Sequence, residues 1–373
     1  MSLGTPVAHR DYAQRPLLLF WETTRACHLA CRHCRASAQR EPLPGELSTA
    51  EAHGLIETIA SFGDPHPILI LTGGDCLLRP DLFELLGHAR ELAIPVAVAP
   101  SVTPSLTSDA LARLKSLSVA SVSVSLDGSI AATHESIRGV EGHFAATLAA
   151  MDRVVESGLR LQVNTTVMAQ NVDQLADIAR LVRDAGARVW EVFFLIAVGR
   201  GGGPRPLTPA QCEDVCLFLT EVSGHDLVIR TVEGPFYRRV ARGQLGGGAF
   251  PGPLGRALVD RLQATLGPAP GPAVTPPATT RDGNGILFIS HDGMITPSGF
   301  LPFDLGNIRS GGLVDVYRSH PLLVDIRAGR LGGRCGRCDF RRVCGGSRAR
   351  SYAETGDPLG EDPACIYQPG FAT

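Results

Sequence analysis

The sequence has no apolar run approaching the roughly 18 residues that a membrane-spanning helix needs. Its first apolar stretch, residues 17–21, is too short for a signal-peptide core, and no basic cluster precedes it. The formal net charge is −2, so the charge balance carries no footprint of a nucleic-acid binder. Beyond a βα rhythm there is no internal repeat. These absences predict a cytoplasmic protein with no membrane and no nucleic-acid partner. The 373 residues, 44% hydrophobic and 19% charged, are ample for a sizeable core. Length alone suggests about two domains, or one large barrel with an appendage.

Ten cysteines stand out against this background. A reducing compartment disfavours disulfides, and seven of the ten fall into two groups with ligand-like spacing, which points to metal. Cys212 and Cys216, four apart on an expected helix, read as helix core packing.

Residues 17–198 alternate short β-type runs with amphipathic helical runs. The strands are expected at 17–21, 68–71, 96–99, 121–125, 161–167 and 189–195. Helices are expected at 49–62, 80–92, 109–117, 143–157 and 172–185. This rhythm predicts a parallel sheet with helices outside, a partial six-unit (β/α) barrel of the α/β class. Chemistry in such barrels sits in loops at the C-terminal ends of the strands. The expected organisation is an N-terminal arm over 1–16, the barrel over 17–200, a connector over 201–284, and a small C-terminal cysteine-bearing extension over 285–373. Within the connector, helices are expected at 208–222 and 253–266. The Gly- and Pro-rich stretch 246–285 reads as a mobile connector or lid, or as a plain exposed linker. A small hairpin is expected from 285–290 and 294–297, around His291, Asp292 and Gly293.

Cys27, Cys31 and Cys34 form C-x3-C-x2-C on the loop after the first strand. Three thiolates at this spacing can hold three irons of a cubane, leaving the fourth iron open. A structural zinc site would want four protein ligands. Here the chain resembles the radical S-adenosylmethionine (SAM) superfamily. The resemblance implies that the open iron binds SAM, and that the reduced cluster cleaves SAM to a radical that abstracts hydrogen from a substrate. It implies an electron donor such as flavodoxin or ferredoxin. Gly73-Gly74-Asp75 stands where the family has its GGE or GGD motif beside the methionyl amino group. Ser125-Leu126-Asp127-Gly128 ends the fourth strand, and His134-x3-Arg138 follows. By resemblance, Ser125 contacts the ribose and Arg138 the SAM carboxylate, Asp127 belongs to the same cofactor site, and Leu195 and His33 lie beside adenine. Cys76 replaces the proline that often follows GGD and reads as a small buried residue.

Cys335, Cys338, Cys344 and Cys365 read C-x2-C-x5-C-x20-C. Four cysteines suffice to ligate a further cluster, with a zinc ribbon as the alternative. The segment resembles SPASM or twitch-type extensions. Ser298 and Arg348 stand where a full SPASM domain has cysteines, so one auxiliary [4Fe–4S] cluster is expected, giving two in all. The context CGGSRARSYAETGD looks most like the heme d1 and alternative heme biosynthesis branch, which implies oxidation or decarboxylation of a tetrapyrrole side chain. Only some 16 residues precede the first strand, so a peptide-recognition domain is not expected there. The rivals are an enzyme modifying a peptide or specialised metabolite, and a non-catalytic iron–sulfur carrier or sensor. No general acid or base emerges. Glu233 and His291 are polar candidates, and Arg238, Arg239, Arg348 and Arg350 read either as binders of substrate carboxylates or as solvated surface groups.

Overall fold

The computed structural model describes residues 11–243, 251–274 and 280–370. Strands β1 (Leu18–Glu22), β2 (Ile68–Thr72), β3 (Val96–Val98), β4 (Val122–Ser125), β5 (Leu161–Val167) and β6 (Val189–Phe194) lie side by side, all parallel. Six of the connecting helices cover them: α1 (Thr49–Ala60), α2 (Leu82–Glu91), α3 (Ser108–Ser116), α4 (Ala131–Arg138), α5 (His143–Glu156) and α6 (Leu175–Asp184). The α/β partial barrel is therefore as expected. Its core is the contact between strand residues such as Leu19, Leu71 and Val163 and helix residues such as Ile56, Leu85 and Ile178, all essentially inaccessible to water. Local sequence starts the helices. Ser48 and Glu51 form a reciprocal capping box at α1.

The barrel continues beyond the six units. After α7 (Pro209–Val222), capped by Thr208 and Gln211, a seventh parallel strand β7 (Val228–Val232) pairs with β6. It lies inside the expected connector and was missed because its run, VIRTV, is short and carries Arg230 at its centre. The short helix α8 (Tyr237–Val240) follows, then α9 (Pro253–Leu266). α9 is neither a lid nor a loose linker. It buries Leu258 and Leu262, its leading Gly252 N–H donates to Asp214 on α7 (2.7 Å), and its Arg261 pairs with Asp177 on α6 (3.0 Å). Residues 246–250 and 275–279 of the expected lid lie outside the described residues.

At residue 285, the expected start of the extension, the chain rejoins the barrel sheet. After β8 (Arg281–Asp282), β9 (Gly285–Ile289) pairs in parallel with β1, in register from Leu18 opposite Ile286 to Trp21 opposite Ile289. The expected hairpin is present, with β10 (Met294–Thr296) antiparallel to β9 and followed by β11 (Gly306–Asn307). One sheet of 11 strands thus runs β11-β10-β9-β1-β2-β3-β4-β5-β6-β7, with β8 beside β9. The extension covers the β1 edge, which would otherwise present unpaired backbone groups. Among the described residues, no helix is long and apolar enough to cross a membrane.

Candidate active site

The first cysteine group lies on the loop that leaves β1 at the C-terminal end of the barrel. The loop is fixed by its backbone. Cys27 N–H donates to Gln39 O (2.6 Å), and Arg200, just beyond β6, donates from Nε to Cys31 O and from Nη1 to Ala38 O (both 2.9 Å). The glycines of the GGD motif explain how β2 comes so close. A Cβ on Gly73 would run into the carbonyl of Thr24, and one on Gly74 into that of Ala26. Here glycine is needed for the approach of two backbone segments, and it leaves both glycines on the wall of the pocket beside the cysteines.

That pocket gathers most of the expected residues. Cys27, Cys31, Cys34, His33, Gly73, Gly74, Ser125, Arg138 and Leu195 all line it. Asp75 and Asp127 are not on the wall. The Asp75 carboxylate is fully buried and turned away, accepting from Thr103 Oγ1 (2.7 Å) and from the N–H groups of Ser101 and Leu77. Burial pushes its pKa up. The geometry therefore offers an ammonium the glycine backbone, not the Asp75 side chain. Asp127 is also fully buried and accepts from Thr166 N–H (2.7 Å), with Arg138 Nη2 at 2.6 Å and His33 Nε2 at 3.4 Å. It orients those two residues. Burial works against its charge, but the Arg138 guanidinium outweighs that and holds its pKa below the usual carboxylate value. Arg138 is neither a surface residue nor free to serve SAM alone, since Nη1 also reaches Cys31 Sγ (3.7 Å). His134 holds the turn, accepting from Asp127 N–H (3.1 Å) and bonding to His143 (2.8 Å). Sequence reasoning missed Arg200. Its Nη2 is buried without a hydrogen-bond partner, and it lines the pocket; its place inside a Gly-rich break gave no signal.

The second group is assembled from loops distant in sequence. Cys335, Cys338, Cys344 and Cys365 line one pocket with Arg239, Asp362 and Tyr367. Asp362 N–H (3.4 Å) and Arg348 Nη2 (3.7 Å) reach Cys335 Sγ; Phe340 N–H and Gly346 N–H reach Cys338 and Cys344 (both 3.4 Å). Burial pushes the Cys344 thiol up to about 12 and the Cys365 thiol to about 11. Among the described residues, no three His, Cys, Asp or Glu side chains converge tightly enough for a single metal ion. The four thiols line that one pocket together.

The four arginines read as substrate binders or surface groups are neither. All are buried. Arg238 donates to the carbonyls of Val343 and Thr280, and Arg239 pairs with Glu213 at 2.6 Å. Arg348 donates to Gly360 O, and Arg350 bonds Asp362 and Glu233 O. They hold the loops of the second cysteine group. The polar candidates are similarly committed. Glu233 accepts from Ser347 Oγ, and His291 Nδ1 lies 3.0 Å from Glu22. Cys76, Cys212 and Cys216 are buried in the core, as expected.

The sequence and the fold can be set beside known proteins. Residues 21–182 match the Radical SAM superfamily model. The AdoMet-dependent heme synthase of Nitratidesulfovibrio vulgaris is 34% identical over 376 residues, covering 98% of this chain and 97% of that protein. The pre-heme d1 synthase of Dinoroseobacter shibae is 30% identical, covering 98% and 87%. Among solved structures, Streptococcus suis SuiB bound to S-adenosylmethionine superposes with a TM-score of 0.70 over 94% of this chain and 77% of that one, at 16% identity, a likeness of fold. With the motif cysteines gathered on one pocket at the barrel mouth and matches spanning the chain, this protein belongs to the radical SAM superfamily and is an enzyme of the branch that holds the AdoMet-dependent heme synthases, for which the family implies SAM and a [4Fe–4S] cluster.

Proposed function

We propose that this enzyme abstracts hydrogen from a tetrapyrrole side chain and so brings about its oxidation or decarboxylation. The observation that carries this reading is the end-to-end likeness to an AdoMet-dependent heme synthase. In this reading Cys27, Cys31 and Cys34 hold the SAM-binding [4Fe–4S] cluster. Gly73, Gly74, Ser125, Leu195 and His33 shape the SAM cavity, Arg138 supplies positive charge beside Cys31, and Asp127 keeps Arg138 in place. SAM bound at that cluster supplies one-electron hydrogen-abstraction chemistry; the chain positions the reactants and excludes water. Arg200, with one buried N–H group uncommitted, is suited to a carboxylate of the ligand.

A second, auxiliary [4Fe–4S] cluster is assigned to Cys335, Cys338, Cys344 and Cys365. All four ligands are thiols, so no position need be open to substrate, and Arg348 and Arg239 place positive charge beside the site. Such a site suits acceptance of the electron that must leave the substrate after hydrogen abstraction. A small one-electron donor of the flavodoxin or ferredoxin type serves the first cluster.

The test is anaerobic incubation of the reconstituted enzyme with SAM and a reductant, with porphyrins and small peptides assayed side by side. Formation of 5′-deoxyadenosine coupled to loss of mass from a propionate-bearing porphyrin is expected. Turnover of a peptide with no change in any porphyrin would overturn the reading.

A further inference from the structure

The pocket beside the first cysteine group is not made by the barrel alone. Its polar wall, including Ser123, Ser125, Asn164 and Thr166, comes from barrel strands, but Phe300 comes from the loop after β10 in the C-terminal extension. The Phe300 ring lies 6.0 Å from that of Phe193 on β6, tilted by 55°, and both rings line the pocket.

An aromatic residue beside a pocket is by default core packing. Phe300 differs in being only half-buried while the segment that carries it is tightly held. Ser298 and Leu301 form a β-bridge, Ser298 Oγ accepts from Phe300 N–H (3.3 Å), and Thr296 Oγ1 donates to Ser298 O (2.9 Å). Gly299 is pressed against the barrel. A Cβ there would lie 3.0 Å from the Phe288 ring and 3.2 Å from Arg35 Nε. Arg35 in turn is paired with Glu22 (2.8 Å), and Glu22 with His291 (3.0 Å). On another side Phe300 packs against the small apolar cluster of Ile196, Leu301 and Ala349. The segment that carries Phe300 is thus braced on one side by Arg35 and its partners, and its ring lines the cavity. Two rings with part of their surface accessible offer edge and face contacts to a flat π-system, an interaction tolerant of the substituents around it.

We propose that Phe300 is a substrate-contacting residue which, with Phe193, forms the wall against which the planar macrocycle of the substrate lies. The extension thereby contributes recognition to the barrel's site as well as an iron–sulfur centre. This inference rests on the tetrapyrrole reading above and concerns how the ring is recognised, not which side chain reacts.

The experiment is titration of the anaerobically reconstituted enzyme with a propionate-bearing iron porphyrin, followed by its visible absorption, with SAM affinity and iron content measured in parallel. Phe300→Ala is expected to weaken porphyrin binding about ten-fold or more. Phe300→Tyr should bind within about two-fold of wild type, and neither change should alter SAM affinity or iron content. Wild-type porphyrin affinity in Phe300→Ala overturns the inference alone. So does an equal loss of SAM affinity, which would mark general damage to the pocket, or a loss in Phe300→Tyr as large as in Phe300→Ala. No porphyrin binding by the wild-type enzyme overturns the tetrapyrrole reading and this inference with it.

Discussion

The two cysteine sites use the same ligand in opposite settings. The first is one short loop on the barrel rim, three thiols facing a pocket walled partly by hydroxyl, amide and glycine backbone groups and partly by apolar side chains such as Phe193, Leu195, Ile196 and Phe300. The second gathers four thiols, two of them separated by 21 positions of chain, in a smaller pocket stiffened by buried arginines. The first site leaves room for a ligand that is not protein; the second fills its surroundings with its own side chains. On the reading proposed above, the difference is between a centre where chemistry enters and a centre that passes on charge or holds the chain together.

The sharpest way to break this comparison is to remove one site at a time. Replacing Cys27, Cys31 and Cys34 by Ala should leave roughly four of about eight irons and abolish 5′-deoxyadenosine formation. Four irons with one tightly bound zinc in the wild-type protein would remove the auxiliary cluster from the account. Replacing Cys335 and Cys338 by Ala should have a smaller effect on SAM cleavage. A folded variant should still form 5′-deoxyadenosine but lose net substrate oxidation. Substrate turnover at the wild-type rate would exclude the electron-acceptor role, and failure to fold would leave the site as a staple.

The two sites also differ in how far the sequence reveals them. The first is legible because its determinants are local. Spacing over eight residues places three thiols together, and the βα rhythm places them at the barrel mouth. The same holds for α9 and for the α7 cap, where Thr208, Pro209 and Gln211 lie within one turn. What depends on distant partners is not legible. The parallel pairing of β9 with β1 joins segments some 270 residues apart. An arginine carries no mark of whether its guanidinium meets water or carbonyls, so Arg238, Arg239, Arg348 and Arg350 read as surface groups until the loops around them are seen. Asp75 misleads for a related reason. The motif gives its position after β2, but Thr103 decides where its carboxylate points.

Arg138 sharpens the first half of the comparison. Its partner Asp127 is fully buried, and breaking a buried pair by removing one member typically costs about 3–5 kcal/mol, because the remaining charge is uncompensated. Arg138→Ala should therefore lower unfolding stability by about that amount. Its affinity for SAM should fall roughly ten- to a hundred-fold. Adding Asp127→Asn should recover much of the stability but none of the SAM affinity. A single variant within about 1 kcal/mol of wild type, well short of the loss expected for a buried pair, would show that the pair is not what orients Arg138. Thermal unfolding and equilibrium SAM binding separate the two effects.

The smallest effect tests the second site, where a buried carboxyl pair braces the loops of the auxiliary cysteines. Asp282 Oδ2 accepts from the N–H groups of Arg348 and Ala349 (3.2 and 3.1 Å), at the start of the helix Arg348–Thr355, a position that favours a negative charge. Glu233 accepts from Ser347 Oγ and hydrogen bonds to Asp282. Two carboxylates cannot share that bond without a proton. Burial, reinforced by the Asp282 charge, accordingly pushes the Glu233 pKa well above its ordinary value. The sign of the linkage follows. The native state binds this proton more tightly than the unfolded chain does. The stability it contributes is therefore complete below about pH 4.3, the ordinary glutamate value. It is lost as pH rises toward the raised native value. Glu233→Gln keeps an acceptor for Ser347 and a donor for Asp282 without the titrating proton. Near pH 5 the variant should lie close to wild type in thermal stability, and as pH rises further its stability should fall less steeply. Equal pH slopes in the two proteins would place the proton elsewhere, and a large loss already at pH 5 would mean that the amide cannot take the place of the acid.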